Sequence, residues 1–121
     1  MRILFVEDNA FLREQIVELL AAEDREVVGC ASAEEALSAL AARPFDVLIT
    51  DISLPRMSGM DLARHVLKDH PDAWVVISSG YLPKLRPEEL GPHVRALLKP
   101  FDAADLHRVM DEVRSNRNLA Q

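Results

Sequence analysis

Four places in the 121-residue chain set a chemically useful side chain at the end of an apolar run. Glu7 and Asp8 follow Ile3 to Val6, and Asp51 follows Val47 to Ile49. Ser78 and Ser79 close the run Trp74 to Ile77, and Lys99 with Pro100 follows Val94 to Leu98. Taken singly, each has an ordinary explanation as a loop acid, a turn hydroxyl or a surface lysine. If the runs are neighbouring strands, the four ends meet at one edge of a sheet, and chance becomes a poor account of them. Three carboxylates gathered there would repel and raise one another's pKa unless a cation lay between them. The available ligands are oxygens, with no His or Cys nearby in sequence, which selects a hard divalent ion and suits Mg²⁺ with retained waters. Mg²⁺ in turn suggests phosphate chemistry. A carboxylate attacking phosphorus gives an acyl phosphate, and the protein's work is then to position groups and neutralise charge. The ion, Lys99 and the Ser79 hydroxyl could together contact three phosphoryl oxygens.

The elements that must hold these residues follow from the hydrophobic pattern. Five short apolar runs, Ile3 to Val6, Val27 to Cys30, Val47 to Ile49, Trp74 to Ile77 and Val94 to Leu98, show little strict alternation. That is the pattern of strands buried on both faces. Between them, Leu12, Ile16, Leu19 and Leu20 recur at helical spacing, as do Ala33, Ala36, Leu37 and Leu40, and later Leu106, Val109, Met110 and Val113. Ser32 with Glu35 and Asp102 with Asp105 read as helix starts, a capping oxygen followed three residues on by an acid. Pro44 and Pro71 mark places where helices have already ended. Strand alternating with helix predicts an α/β domain, a doubly wound parallel sheet covered on both sides. Pro83, Pro87, Gly91 and Pro92 leave room for about one helical turn near Glu88 to Leu90, so the helix before the fifth strand should be short or broken.

Length and composition bound the function classes. A chain of this size at 49% hydrophobic fits one domain over residues 1–121, with residues 114–121 as a short polar tail. A formal charge of −6 argues against a general electrostatic grip on nucleic acid or anionic membranes. The apolar start, Met1 to Val6, is too short and too quickly followed by acids for a signal peptide or a membrane span. The single cysteine, Cys30, reads as a buried thiol at a strand end and fits a reducing compartment, so cytoplasm is the expected location. His65, His70, His93 and His107 are scattered and read as surface or helix residues rather than ligands. Met57 and Met60 read as gap-filling core, and Trp74 as packing.

Val6-Glu7-Asp8-Asn9, Thr50-Asp51-Ile52-Ser53-Leu54-Pro55 with Met57-Ser58-Gly59, Ile77-Ser78-Ser79-Gly80 and Leu98-Lys99-Pro100-Phe101 closely resemble the motifs of the receiver domain of two-component response regulators. The resemblance runs over essentially the whole chain and implies a five-stranded sheet of order 2-1-3-4-5. By that resemblance Asp51 is the phosphoacceptor, Asp8 a direct metal ligand, Glu7 a ligand through water and the Ser53 backbone carbonyl a third metal contact. Ser79 and Lys99 bind the phosphoryl group, and the Lys99-Pro100 peptide is cis. The donor is a phosphohistidine on a sensor histidine kinase or a histidine phosphotransfer protein, and the output is a change in partner binding. The chain is expected to stand alone or to belong to a hybrid kinase or larger regulator. One departure is plain: the family usually has Tyr or Phe three residues before the lysine, where this chain has Ala96. Without that aromatic switch, the segment from Ser79 to Pro92, with Tyr81 as a substitute aromatic, is the expected route of output.

Two other readings compete. Haloacid dehalogenase-like phosphatases also use a strand-end Asp with Mg²⁺, but they need a second Asp two residues later, and that position is Ser53. An interaction module that takes no phosphate would not need Glu7, Asp8, Asp51, Ser79 and Lys99 together.

Overall fold

A computed structural model of the protein describes residues 1–21, 24–80 and 90–119. The chain runs β1 (Arg2–Val6), α1 (Ala10–Leu20), β2 (Glu26–Cys30), α2 (Ala33–Ala42), β3 (Val47–Asp51), α3 (Gly59–Asp69), β4 (Trp74–Ser79), β5 (Val94–Leu98) and α4 (Ala103–Leu119). The strands form one parallel sheet in the order β2-β1-β3-β4-β5. Each expected strand is present, displaced by no more than two residues at either end.

Alternation along the strands builds two cores, one on each face. Leu4, Val6, Leu48, Val75 and Ile77 meet Ala33 and Ala36 of α2 and Leu62, Ala63 and Val66 of α3. Ile3, Phe5, Val47, Ile49, Val76 and Leu97 meet Ile16 and Leu20 of α1 and Leu106, Met110 and Val113 of α4. Both faces of every central strand are therefore apolar, which is why the runs in the sequence barely alternate. Leu19 departs from the expected buried stripe of α1 and is exposed. Ile16 and Leu20, four residues apart, take the core face, and Leu19 lies about a quarter-turn off it.

Helix starts are fixed by side chains. Asn9 Oδ1 accepts the Leu12 N–H, Ser32 Oγ the Glu35 N–H and Ser58 Oγ the Asp61 N–H, at 3.0, 3.1 and 3.1 Å. Glu35 reaches back to the Ala31 N–H, and Asp102 and Asp105 each accept the other's backbone N–H, so both expected capping pairs are formed. At the other end, α4 continues to Leu119, so its helix runs into the segment read as a short polar tail. The Asp111–Arg114 pair and the Asn116 side chain on the Glu112 carbonyl support a polar helical face there. Trp74 is buried at the amino-terminal end of β4, with the His93 ring stacked on it at 4.5 Å. The expected short helix near Glu88 to Leu90 and the proposed role of Tyr81 fall on residues 81–89, outside the described residues. No described helix is long and apolar enough to cross a membrane.

Candidate functional site

The strand order reverses between β1 and β3, and the crevice of an open α/β sheet lies beyond the carboxyl ends of the strands at such a point. Backbone bonds hold the four critical strand ends in line there. The Glu7 N–H donates to the Cys30 carbonyl at 3.0 Å, the Ile52 N–H to Ser78 at 2.9 Å and the Lys99 N–H to Ser79 at 2.8 Å. Each bond carries the ladder just past its strand, so the residues that follow are placed by the sheet. The Lys99-Pro100 peptide is cis, as expected.

Helix α3 presses directly on the β3 end. A Cβ on Gly59 would sit 2.0 Å from the Asp51 carbonyl oxygen and 2.8 Å from Ile52 Cα, so only glycine permits the approach. The Gly59 N–H then donates to the Ile52 carbonyl at 3.0 Å.

Glu7, Asp8 and Asp51 each offer a carboxylate oxygen such that all three oxygens lie within 4.8 Å of one another. Glu7 and Asp51 are buried and Asp8 is exposed, giving a pocket closed at the sheet and open above. The second oxygens are tied to the backbone: Glu7 Oε2 accepts the Asn9 N–H at 3.1 Å, and Asp51 Oδ1 the Ser53 N–H at 3.2 Å. Lys99 supplies the positive charge. Its Nζ donates to Asp51 Oδ2 at 3.0 Å and to Glu7 Oε1 at 3.3 Å. Burial raises the Glu7 pKa above its usual value, and the hydrogen bond from Asn9 and the charge of Lys99 offset this only in part. Burial pulls Lys99 down, but the hydrogen bond and charge of Asp51, with those of Glu7, outweigh it and hold the ammonium above its ordinary pKa.

The oxygen-only donor set and the three carboxylates within reach of one another suit a hard dication. Of the residues picked out in the sequence, Glu7, Asp8, Asp51 and Lys99 are brought together. Ser79 is buried at the same sheet edge, but alternation along β4 directs its side chain to the Val75 and Ile77 face, opposite that of Asp51. Ser53 approaches Asp51 through its backbone N–H. His65, His70 and His107 are exposed on the helices or their ends, and His93 packs on Trp74, away from this edge. Ala96, paired with Ile77, is partly buried against the core under α2 and α3.

Arg13 is a site neighbour that the sequence reading passed over. Its Nη1 donates to the Glu7 carbonyl at 2.8 Å. Its stem lies over Gly29, where an added Cβ would be 3.2 Å from Arg13 Cγ. The signal was available, since helical side chains lean toward the amino terminus and Arg13 on α1 leans back over the β1–α1 loop.

Comparison with known proteins agrees with this geometry. Residues 3–111 match the response regulator receiver domain family, and the chain belongs to that family. Receiver domains take and lose a phosphoryl group stoichiometrically rather than turning over a substrate. The response regulator receiver protein CpdR of Brucella abortus is 33% identical over 107 residues, covering 87% of this chain and 89% of CpdR. A protein-glutamate methylesterase/protein-glutamine glutaminase of Geobacillus kaustophilus is 37% identical over 81 residues, covering 65% of this chain. The aligned part is only 23% of that longer protein. Among solved structures, a response regulator receiver domain from Clostridium thermocellum superposes with a TM-score of 0.86 at 28% identity, covering 99% of this chain and 98% of its own. The response regulator TrrA of Thermotoga maritima, solved in complex with Mg²⁺ and beryllium fluoride, gives 0.81 at 26% identity over 93% of this chain and 97% of its own.

Proposed function

We propose that Asp51 accepts a phosphoryl group from a phosphohistidine on a sensor histidine kinase or histidine phosphotransfer protein, and that the phosphorylated chain changes its binding to a cytoplasmic protein partner. The observation that carries this reading is the Lys99 ammonium bonded to the Asp51 carboxylate beside Glu7 and Asp8. Mg²⁺ is the proposed ion, with Asp8 as a direct ligand, Glu7 acting through water, and Asp51 and the Ser53 backbone carbonyl completing the protein's share. When bound, it supplies positive charge against the transferring oxygens.

The remaining work falls to the chain's own groups. An Asp51 carboxylate oxygen forms the new O–P bond as the donor's P–N bond breaks, and the imidazole leaves with the bonding pair. The Ser53 N–H steadies the other oxygen at 3.2 Å. Lys99 neutralises charge on the phosphoryl oxygens, and the Ser79 hydroxyl swings from its own face of β4 to donate to one of them. Water later attacks phosphorus, the Asp51 O–P bond breaks, inorganic phosphate leaves and the carboxylate is regenerated.

The test is intact-mass measurement after incubation with acetyl phosphate and Mg²⁺. One added phosphoryl group on the parent chain and none on Asp51→Asn is the expected result. Equal labelling of the two overturns the assignment.

A further inference from the structure

Ser78 is a buried residue that the proposed reaction does not use. It is 3% exposed, and its Oγ has no hydrogen-bond partner among the described residues. A buried hydroxyl left unpaired forfeits its hydration without return, and such a group in a native fold calls for an explanation. The backbone carbonyl of Ser78 is already engaged by Ile52. What stands out is its position. Ser78 is the direct cross-strand partner of Asp51. Alternation puts Ser78 on the face of Trp74 and Val76, and Asp51 on the face of Val47 and Ile49, which is the same face of the sheet.

That face is also the path of Lys99. Strand β4 lies between β3 and β5. The Lys99 side chain leaves the end of β5 and reaches Asp51 on β3 and Glu7 beyond β1, so it crosses β4 on the side where Ser78 stands. Its two present acceptors belong to two of the three carboxylates that would hold a divalent ion. An ammonium and a dication cannot both keep those oxygens, because the like charges repel within a partly buried site. Lys99 must then shift, and with its side chain only 28% exposed, a protein acceptor on the sheet side would serve the displaced ammonium where solvent reaches it only in part. The Thr50 hydroxyl is committed to the Asp51 carbonyl at 3.0 Å, and the Ser79 hydroxyl, already engaged on the other face of β4, is reserved for the phosphoryl group in the reading above. The Ser78 hydroxyl has lone pairs to offer and a rotor that can aim them.

We infer that Ser78 is a positioning residue for Lys99, its hydroxyl receiving the ammonium when a divalent cation is held among Glu7, Asp8 and Asp51. This rests on the metal-binding reading above. The simpler alternative is that a small residue is needed under the lysine stem and the hydroxyl is incidental.

Calorimetric titration of the full chain with Mg²⁺ alone separates the two. Ser78→Ala keeps the residue small and is expected to bind Mg²⁺ at least roughly tenfold more weakly, the worth of one hydrogen bond to a charged group. Its metal-free melting temperature should be equal to or above the parent's, because an unpaired hydroxyl has been removed. A merely structural role would move stability and affinity down together. In a Lys99→Met background the same substitution should change the Mg²⁺ affinity by less than about twofold, since no ammonium remains to be received. The pair Ser78→Thr and Ser78→Val, alike in shape, serves as a second comparison, with Thr expected to bind as the parent does and Val as Ala does. Parent-like Mg²⁺ binding by Ser78→Ala, or an equal loss with and without Lys99, overturns the role of Ser78 alone. Absence of Mg²⁺ binding by the parent overturns the metal reading and this inference with it.

Discussion

The Lys99 ammonium lies 3.0 Å from Asp51 Oδ2 and bridges to Glu7 Oε1 at 3.3 Å, so the chain supplies its own cation to two of three clustered carboxylates. The same contact that poises Lys99 for a phosphoryl group makes it a competitor of an incoming dication.

Lys99→Ala should therefore bind Mg²⁺ about tenfold more tightly than the parent, as expected when a charged hydrogen bond to the ligand oxygens is removed. It should also take a phosphoryl group from acetyl phosphate more slowly. Titration and labelling rate measured on the same preparation check both, and weaker Mg²⁺ binding would contradict the competition.

Glu7 sets a pH dependence on the metal-free fold. Its pKa in the folded chain is raised above the reference of 4.5, so the folded state holds a proton that the unfolded state releases. Stability from this group is full below about pH 4.5 and is lost as pH rises through the raised folded value. Glu7→Gln should be more stable than the parent at neutral pH, with the difference vanishing in acid. Urea melts across pH check this, and a constant difference would place the cause elsewhere.

Gly59→Ala drives a methyl group into the Asp51 backbone at the start of α3. A cost of at least about 2 kcal/mol is expected from overpacking against backbone that cannot yield locally. Because the displaced residue is Asp51 itself, Mg²⁺ affinity should fall as well. Thermal melts and metal titration read the two effects, and a neutral variant would refute the close approach.

Much of this was legible in the sequence. The strands were visible because both of their faces are buried, which writes them as apolar runs, and Ser32 with Glu35 announced a cap that is formed. Glu7, Asp8, Asp51 and Lys99 could be grouped because each lies at or just past the carboxyl end of a strand, and strand ends meet wherever the sheet order allows. The faces were less legible. Ser78 and Ser79 are adjacent hydroxyls in the sequence, and only the register of β4 against β3 assigns one to the face of Asp51 and the other away from it. Arg13 was less legible, because its contact is the reach of a long side chain to a backbone carbonyl, and only the lean of helical side chains toward the amino terminus hints at it. The helical course of Arg114 to Leu119 was hidden because a solvated helical face and a polar tail have the same composition.

Cys30 should be chemically inert in the folded chain. Burial first, and the charge of Glu35 second, push its thiol up to about 11, so little thiolate exists near neutrality. The folded state holds this proton longer than the unfolded one, so stability declines as pH rises from 9.0 toward 11. Iodoacetamide should label the denatured chain and spare the native one at pH 8. Rapid native labelling would show that the thiol is not enclosed.

The central claim, that Asp51 is the phosphoacceptor, is tested most directly by locating the acyl phosphate in the parent chain. Borohydride reduction after treatment with acetyl phosphate and Mg²⁺ converts a phosphorylated aspartate to homoserine, which peptide sequencing by mass spectrometry can place. Homoserine at position 51, dependent on Mg²⁺, is the predicted result. Homoserine at position 8, or unmodified Asp51 in a chain shown to carry phosphate, would contradict the account.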